Sequence, residues 1–157
     1  MSIGVFLAAV YVSRLQALSG RRPKSLVQVD GRPIITYPIQ AMLSAGIDSN
    51  TVVVGYRGRE VIEALGELYP KIHFAYNKDY SGENATSIFA AREHLLNDPF
   101  VVAMGDHLIS TGIIKTLLVR NSSHPAICVD GAATHESQIS DATKVWVDSA
   151  GMVMGIG

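Results

Sequence analysis

Three charged side chains follow apolar runs of strand length, where they could bind a phosphorylated ligand. Arg14 and Lys24 come after the run at residues 3–9. Two cations there could hold a triphosphate, the arginine as a planar fork and the lysine as a point charge. Asp106 directly follows the run FVVAMG and is a candidate Mg²⁺ ligand, because Mg²⁺ sites often combine one or two carboxylates with phosphates. A solvated basic loop and an Asx turn are the simpler alternatives.

A polar loop at residues 77–83 precedes a predicted helix in which Asn84 and Ser87 occupy the first turn. The N–H groups at a helix start favour anions and acceptors, and an Asn side chain can both donate to and accept from a base edge. Plain capping of the helix by Asn84 explains the same residues. The sequence offers no convincing protein nucleophile, since Ser13 lacks the glycine-bounded elbow that such serines occupy.

Strand-like and helix-like segments alternate along the chain, which predicts a mostly parallel α/β sheet with helices on both faces. The predicted strands are residues 3–9, 25–29, 51–54, 71–76, 100–104, 125–129, 143–147 and 152–156, and the predicted helices are residues 34–45, 60–68, 84–95 and 109–119. Residues 131–141 are predicted to form a loop. Ligands of such sheets bind beyond the carboxyl ends of the strands, and this rule selects three places, the loops after residues 9, 76 and 104.

The composition indicates an ordinary globular protein, with 48% hydrophobic and 17% charged residues over 157 positions. We expect one domain covering residues 1–157. The net charge of −1 gives no support for nucleic-acid binding. Cys128 is the single cysteine, which excludes an internal disulfide and favours a reducing, cytoplasmic setting. The apolar run at residues 3–12 is too short to span a bilayer, so no membrane partner is expected.

Four segments in order resemble the nucleotidyltransferases that activate phosphorylated alcohols and sugars, the nucleotide-diphospho-sugar transferase family. They are PKSLVQVDGRPII, YNKDYSGENATSIFAAREHL, FVVAMGDHLIS and DATKVWVDSAGMVMGIG. The last three resemble inositol-1-phosphate cytidylyltransferases, and the second is also similar to phosphocholine cytidylyltransferases. The resemblance implies a Rossmann-like three-layer fold and transfer of a cytidylyl group from CTP to a phosphorylated alcohol such as inositol 1-phosphate. It also implies release of pyrophosphate and a requirement for Mg²⁺.

The same resemblance implies roles for nine residues. They are Leu7, Ala8 and Ala9 in the nucleotide pocket, Arg14 and Lys24 on the phosphates in the transition state, Asn84 and Ser87 near the base, Asp106 on Mg²⁺, and Lys144 near the acceptor phosphate.

The sequence departs from this family at Val10 and Val12, where the family loop AAGxGxR has two glycines. Glycine permits positive φ and close approach of the backbone to phosphate, which β-branched residues do not. The family also extends beyond position 157 and carries a second metal-binding carboxylate there, so we expect this sequence to be C-terminally truncated relative to it.

Two alternatives therefore stay open beside the cytidylyltransferase. One is a catalytically silent homologue that binds a nucleotide or a partner chain. The other is a sugar-1-phosphate thymidylyl-, uridylyl- or guanylyltransferase. The predicted hairpin at residues 143–156 has no helix after it, and its uncovered apolar strands could support a homo-oligomer.

Overall fold

The computed structural model describes residues 2–9, 22–81, 84–95, 97–120 and 124–157. Its internal contacts divide the chain into two compact units, Met1–Val119 and Arg120–Gly157. The expectation of a single domain stays a prediction. No helix in the described ranges is long and apolar enough to cross a membrane.

The first unit contains six strands, five helices and one 3₁₀ turn among its described residues. In chain order they are β1 (Ile3–Ala8), the 3₁₀ turn (Lys24–Leu26), β2 (Gln28–Val29), β3 (Arg32–Pro33), α1 (Thr36–Ser44), β4 (Ser49–Val54), α2 (Gly58–Leu68), β5 (His73–Tyr76), α3 (Asn84–Ala90), α4 (Arg92–Leu95), β6 (Phe100–Met104) and α5 (Thr111–Val119). The second unit contains α6 (Glu136–Asp141), β7 (Val145–Val147) and β8 (Val153–Ile156).

The main sheet has the order β5-β4-β1-β6, and all three of its strand pairings are parallel. β1 pairs with β4 and β6 at once, with Ile3 opposite both Ser49 and Phe100. All six residues of β1 are buried, as expected for a parallel strand that helices cover on both faces. The predicted fold class, a parallel sheet flanked by helices, is confirmed.

Two hydrophobic clusters lie on opposite faces of this sheet. Phe6 points into the larger cluster, where helices α1, α2 and α5 pack through residues such as Met42, Leu65 and Ile114. Val5 points into the smaller cluster, which contains Ala91 between α3 and α4. The alternation of side chains along β1 therefore serves both layers, which explains why the sequence of this strand is apolar without a break.

Several predicted elements differ in the structure. Residues 25–29 were expected to be extended, but the chain begins there with the 3₁₀ turn before β2. The predicted helix 84–95 is broken at Ala91 into α3 and α4. The apolar run at residues 100–104 predicts a buried strand, yet Phe100 and Val102 are exposed. Among the described residues β6 pairs with β1 alone, so it lies at an edge of the sheet. The helical pattern of residues 60–68 predicts that Leu68 faces the core, but Leu68 is exposed at the end of α2.

The second unit holds two further corrections. Residues 125–129 form no strand, and Ile127 and Val129 are exposed. A short apolar run becomes a strand only when a neighbouring strand satisfies its backbone, and these residues have no such neighbour among the described residues. Cys128 is accordingly exposed rather than inside a strand. Residues 131–141, expected to be a loop, contain the short helix α6.

The predicted C-terminal hairpin is confirmed. β7 and β8 are antiparallel, with Val145 opposite Ile156. The turn is closed by the Asp148 carboxylate, which accepts hydrogen bonds from the backbone N–H groups of Ala150 and Met152 at 2.9 and 2.8 Å. Apolar side chains of the hairpin, Trp146 among them, are exposed. Association of two copies through this hairpin stays a prediction.

Gly4 lies in β1 where no side chain fits, because a Cβ atom there would come within 2.1 Å of Asn50 Oδ1 and 2.7 Å of Met42 Sδ. Gly4→Ala should therefore lower the free energy of unfolding by about 1–3 kcal/mol through overpacking. Gly66 in α2 is the matched control, because a Cβ there would meet nothing within 4 Å. Gly66→Ala should raise stability by about 0.5–1 kcal/mol. Urea unfolding measures both, and equal effects of the two changes would contradict the packing.

Candidate nucleotide-binding site

The carboxyl ends of the strands are held closely together by two glycines that follow β4 and β6. Gly105 donates its N–H to the Leu7 carbonyl at 2.9 Å, and a Cβ on Gly105 would lie 2.9 Å from that same oxygen. A Cβ on Gly55 would lie 2.8 Å from the carbonyl oxygen of Ala9. Any side chain at these two positions would push the neighbouring loops away from the end of β1.

Lys24 is held by backbone contacts of the 3₁₀ turn. Ser25 and Leu26, which follow it, are buried. Ile35 donates its N–H to the Ser25 carbonyl at 3.2 Å, and Ile34 donates to the Val27 carbonyl at 2.8 Å. Because Ile35 is itself fully buried in the core, the turn that carries Lys24 is fixed to the start of α1.

A two-residue hairpin, β2–β3, supports this turn. Asp30 and Gly31 both have positive φ, 48° and 72°, which is the conformation that Asp-Gly favours in a tight hairpin. The Tyr37 hydroxyl donates to the Val29 carbonyl at 2.8 Å, and the guanidinium of Arg32 lies over the Tyr37 ring at 4.5 Å. The segment PKSLVQVDGRPII thus forms one small module that presents Lys24.

Lys24 and Asp106 form an ion pair through Nζ and Oδ2. Asp106 directly follows Gly105, so the same turn that brings the chain close to Leu7 also directs this carboxylate. His107 Nδ1 lies 2.8 Å from the other carboxylate oxygen, Oδ1. The Asp106 side chain is 16% exposed and that of Lys24 is 34% exposed, so the pair is only partly open to water.

The pKa of the Asp106 carboxyl is set by opposing effects. Burial, the largest single effect, raises its pKa, but the hydrogen bond and charge of Lys24, together with His107, outweigh burial and lower the pKa below its ordinary value. The carboxylate is therefore ionised at neutral pH, as a ligand for a cation must be.

Asn77 organises the loop after β5. Its side chain Oδ1 accepts a hydrogen bond from the Asp79 N–H at 2.9 Å, and a backbone N–H can only donate, which fixes the orientation of the amide. The Nδ2 group consequently donates to Thr86 Oγ1 at 3.1 Å and to Ser87 Oγ at 3.0 Å. Asn77 is 4% exposed, and these bonds fasten the loop to the first turn of α3.

Among the described residues, these loops form a partly open carboxyl edge that carries the Lys24–Asp106 ion pair and a polar helix start. In the described ranges no group of three or more His, Cys, Asp or Glu side chains is arranged to hold a metal ion. A cation at Asp106 would therefore need oxygen atoms from a bound ligand or from water. This combination suits the phosphates of a nucleotide and a divalent cation that arrives with them.

Residues 4–146 match the family model of the MobA-like NTP transferase domain. The chain belongs to this family. The match covers both the described sheet and the carboxyl edge at which Lys24 and Asp106 meet.

Relatives of this NTP transferase domain include cytidylyltransferases. The chain is 37% identical over 116 residues to the CMP-5'-(3-aminopropyl)phosphonate synthase of Streptomyces rubellomurinus, covering 72% of this chain and 18% of that protein. It is 34% identical over 107 residues to the 2-aminoethylphosphonate cytidylyltransferase of Lancefieldella rimae, covering 68% of this chain and 43% of that protein. The chain thus spans less than half the length of each of these relatives.

Solved structures share the fold of this domain. The inositol-1-phosphate CTP transferase from T. maritima superimposes with a TM-score of 0.77 and 24% identity, over 100% of this chain and 64% of that one. The CTP:phosphocholine cytidylyltransferase from Streptococcus pneumoniae superimposes with a TM-score of 0.58 and 31% identity, over 68% of this chain and 46% of that one.

The structure places the sequence-predicted site residues of this NTP transferase domain in three groups. Leu7, Ala8 and Ala9 are buried at the end of β1, and Lys24 and Asp106 meet at the same edge. Arg14 lies outside the described residues, as do Val10 and Val12. The roles of all these residues in binding or catalysis stay predictions.

The predicted roles of three further residues do not explain the contacts that their side chains make. These residues are Asn84, Ser87 and Lys144. Asn84 is the first residue of α3 rather than its cap, and it is exposed. Ser87 is buried, and its hydroxyl oxygen already accepts from Asn77. Lys144 lies in the second unit, where its Nζ donates to the carbonyls of Ile139 and, at 2.6 Å, Ala142.

Sequence reasoning missed Asn77 and Gly55 as determinants of the site. A glycine directly after a buried strand was a usable signal for the close approach of Gly55, because it follows the three valines at residues 52–54. Asn77 carried no comparable signal, since one polar residue in a polar loop does not reveal that its side chain is buried.

Asn77→Ala should lower the free energy of unfolding by about 2–4 kcal/mol, because three hydrogen bonds are lost and one of their partners, the Ser87 hydroxyl, remains buried. Urea unfolding measures the change. Lys78→Ala is the matched control on the adjacent, exposed position, and it should change stability by less than about 0.5 kcal/mol. A loss below that threshold for Asn77→Ala would mean that the loop does not depend on this amide.

The coupling between Lys24 and Asp106 should weaken as the pH falls into the acid range. The pKa of Asp106 is lowered in the folded chain from an ordinary value of 3.8. The stability that the pair contributes is therefore complete above that ordinary value and is lost as the pH falls through the lower folded pKa. A double-mutant cycle with Lys24→Met and Asp106→Asn, measured by urea unfolding at pH 6 and pH 3, isolates the coupling. A coupling that grows in acid would contradict the ionised pair.

Proposed function

We propose that the chain is the nucleotide-binding part of a cytidylyltransferase. In this reaction an oxygen of a phosphorylated or phosphono acceptor bonds to the α-phosphorus of CTP. The bond from that phosphorus to the oxygen bridging to the β-phosphorus breaks, and pyrophosphate leaves with the electron pair. The acceptor supplies the nucleophile, so no protein nucleophile is required.

The ion pair between Lys24 and Asp106 is the observation that carries this proposal. It brings a cation suited to phosphate and a carboxylate suited to Mg²⁺ to the edge of a parallel sheet where ligands of such sheets bind. Nearby glycines let the loops approach the end of β1, where Leu7, Ala8 and Ala9 are the proposed lining of the nucleotide pocket. We propose CTP as the triphosphate because several relatives are cytidylyltransferases.

Lys24 would neutralise charge that develops on the phosphates as pyrophosphate leaves, and Arg14 is proposed to share that task. Catalysis of phosphoryl-type transfer consists largely of such positioning and charge stabilisation. The base would lie toward the loop that Asn77 holds, with Asn84 as the exposed polar side chain available to it. Ser87 would act there mainly by fixing the first turn of α3.

Mg²⁺ fits the donor set of this site. Asp106 is an ionised, partly open carboxylate, and one carboxylate with phosphate oxygens and water is a usual environment for this ion. When bound, Mg²⁺ would supply charge neutralisation at the phosphates. His107 would hold the carboxylate in place through Oδ1.

Inositol 1-phosphate is the proposed acceptor, since the inositol-1-phosphate CTP transferase shares the fold over the whole chain. The phosphonate and choline-phosphate enzymes among the relatives make 2-aminoethylphosphonate and phosphocholine the next acceptors to examine. Lys144 is proposed to approach the acceptor phosphate, which would require its Nζ to leave the two carbonyls that it now contacts.

A catalytically silent nucleotide-binding homologue is the second candidate. It is favoured by Val10 and Val12, which replace both glycines of the family's phosphate loop. A uridylyltransferase is a variant of the first candidate, because the UTP–glucose-1-phosphate uridylyltransferase of Haloferax volcanii is 30% identical over 111 residues.

Pyrophosphate release with CTP, Mg²⁺ and each of the three acceptors tests the proposal. Lys24→Met and Asp106→Asn should each lower kcat by about 100-fold or more, as expected when a charge-stabilising group is removed. Lys71→Met is the matched control, because Lys71 is an exposed lysine just before β5. β5 and β6 are the two outer strands of the sheet, so Lys71 precedes the outer strand that Asp106 does not follow. It should retain the activity of the unaltered chain.

Absence of pyrophosphate release with CTP and with the other triphosphates would refute the transferase proposal for this chain. Thermal unfolding with CTP then separates the candidates. A silent nucleotide-binding homologue should be stabilised by about 2.7 kcal/mol at a CTP concentration of 100 times Kd. Faster release with UTP than with CTP would instead identify the uridylyl variant.

A further inference from the structure

Both oxygens of the Asp106 carboxylate are already engaged by protein groups. Oδ2 is paired with Lys24 Nζ, and Oδ1 lies 2.8 Å from His107 Nδ1. The side chain is 16% exposed, so little of the carboxylate is free for a further ligand. A divalent cation that approaches Asp106 must therefore displace at least one of these partners.

Lys24 is the partner that most strongly opposes a cation. It carries a full positive charge against Oδ2, where repulsion between like charges disfavours a metal ion. It is also held in place, because Ser25 and Leu26 beside it are buried and the Ser25 carbonyl is bonded to Ile35. His107 is a weaker obstacle, since its side chain is 63% exposed and can turn into water.

The site offers a cation little compensation for displacing Lys24. In the part of the chain that the structure describes, no cluster of three or more possible metal ligands includes Asp106. A free divalent cation would gain one carboxylate and lose part of its hydration, while the lysine would lose its only described carboxylate partner. A triphosphate changes this balance, because its oxygens provide both a new partner for Lys24 and additional ligands for the metal.

We infer that Lys24 makes metal binding at Asp106 conditional on the nucleotide. Without nucleotide it neutralises Asp106 and excludes divalent cations. Phosphates that bind Lys24 release the carboxylate, and the metal enters with them. This inference rests on the proposed function in taking the anion to be a nucleoside triphosphate.

The inference has a thermodynamic consequence that is independent of turnover. If the triphosphate strengthens metal binding, the metal must strengthen triphosphate binding by the same factor. Couplings of this kind are commonly about 5–150-fold. Removing the charge of Lys24 should reduce the factor, because the metal then no longer has to displace a cation.

Binding of Mn²⁺ alone, measured by water proton relaxation on the 157-residue chain at fixed ionic strength, tests the inference. Lys24→Gln and Lys24→Met should each bind Mn²⁺ about tenfold more tightly than the unaltered chain, as expected when a nearby like charge is removed. Lys24→Arg keeps the charge and should bind as weakly as the unaltered chain. Asp106→Asn should abolish the gain when it is combined with Lys24→Gln.

Lys71→Gln is the control for a general change in net charge, and it should alter Mn²⁺ affinity by less than about twofold because Lys71 is exposed at the far edge of the sheet. Circular dichroism and urea unfolding confirm that each variant is folded. Two neutral variants are included so that failure of one to fold leaves the other to decide. Unchanged or undetectable Mn²⁺ binding in the folded neutral variant would overturn the inference, as would equal tightening by Lys24→Arg.

The second measurement is CTP affinity by calorimetry, in EDTA and in Mg²⁺. The unaltered chain should show the larger ratio of the two affinities and Lys24→Gln a ratio closer to one. An equal ratio in both chains would overturn the inference. Absence of pyrophosphate release would refute the transferase proposal and leave the Mn²⁺ result unaffected, so the two failures are distinguishable.

Discussion

The central strand β1 is the constraint on which the rest of the first unit depends. It is hydrogen-bonded to a parallel strand on each side and buried on both faces. Parallel neighbours in register end at the same edge, so the loops after β4 and β6 have to turn against the last residues of β1. Gly55 and Gly105 occur at those turns because a Cβ would strike the carbonyls of Ala9 and Leu7.

The ion pair between Lys24 and Asp106 is a consequence of two separate anchors. Asp106 is placed by the register of β6 against β1 and by the close approach of Gly105. Lys24 is placed by a short turn whose backbone is bonded to the start of α1, a helix that is packed into the larger hydrophobic cluster. Residues far apart in the chain thus meet because each is tied independently to the same core.

The sequence was sufficient to predict those strands and helices whose formation depends mainly on the pattern of neighbouring residues. Strands β1 and β4 and helix α1 followed from the apolar patterns of the sequence, and they are present. The prediction for residues 125–129 was wrong because a strand depends on a neighbour that no local pattern supplies. Asn77 was missed for a similar reason, since its importance comes from burial and from bonds to residues in α3. Lys24 and Asp106 were identified as site residues, but their direct contact was not.

The contact explains how a site to which the described residues supply one paired carboxylate, Asp106, could still be selective for a metal–nucleotide complex. A preformed cage of several carboxylates would attract divalent cations whether or not a substrate was present. A single carboxylate that a fixed lysine already neutralises has little attraction for a free cation. The phosphates satisfy the lysine and complete the metal's ligands in one event, so neither charge has to be left unpaired at any stage. Under the proposed function, the neutralisation of Asp106 by Lys24 would allow the metal to bind only together with a triphosphate.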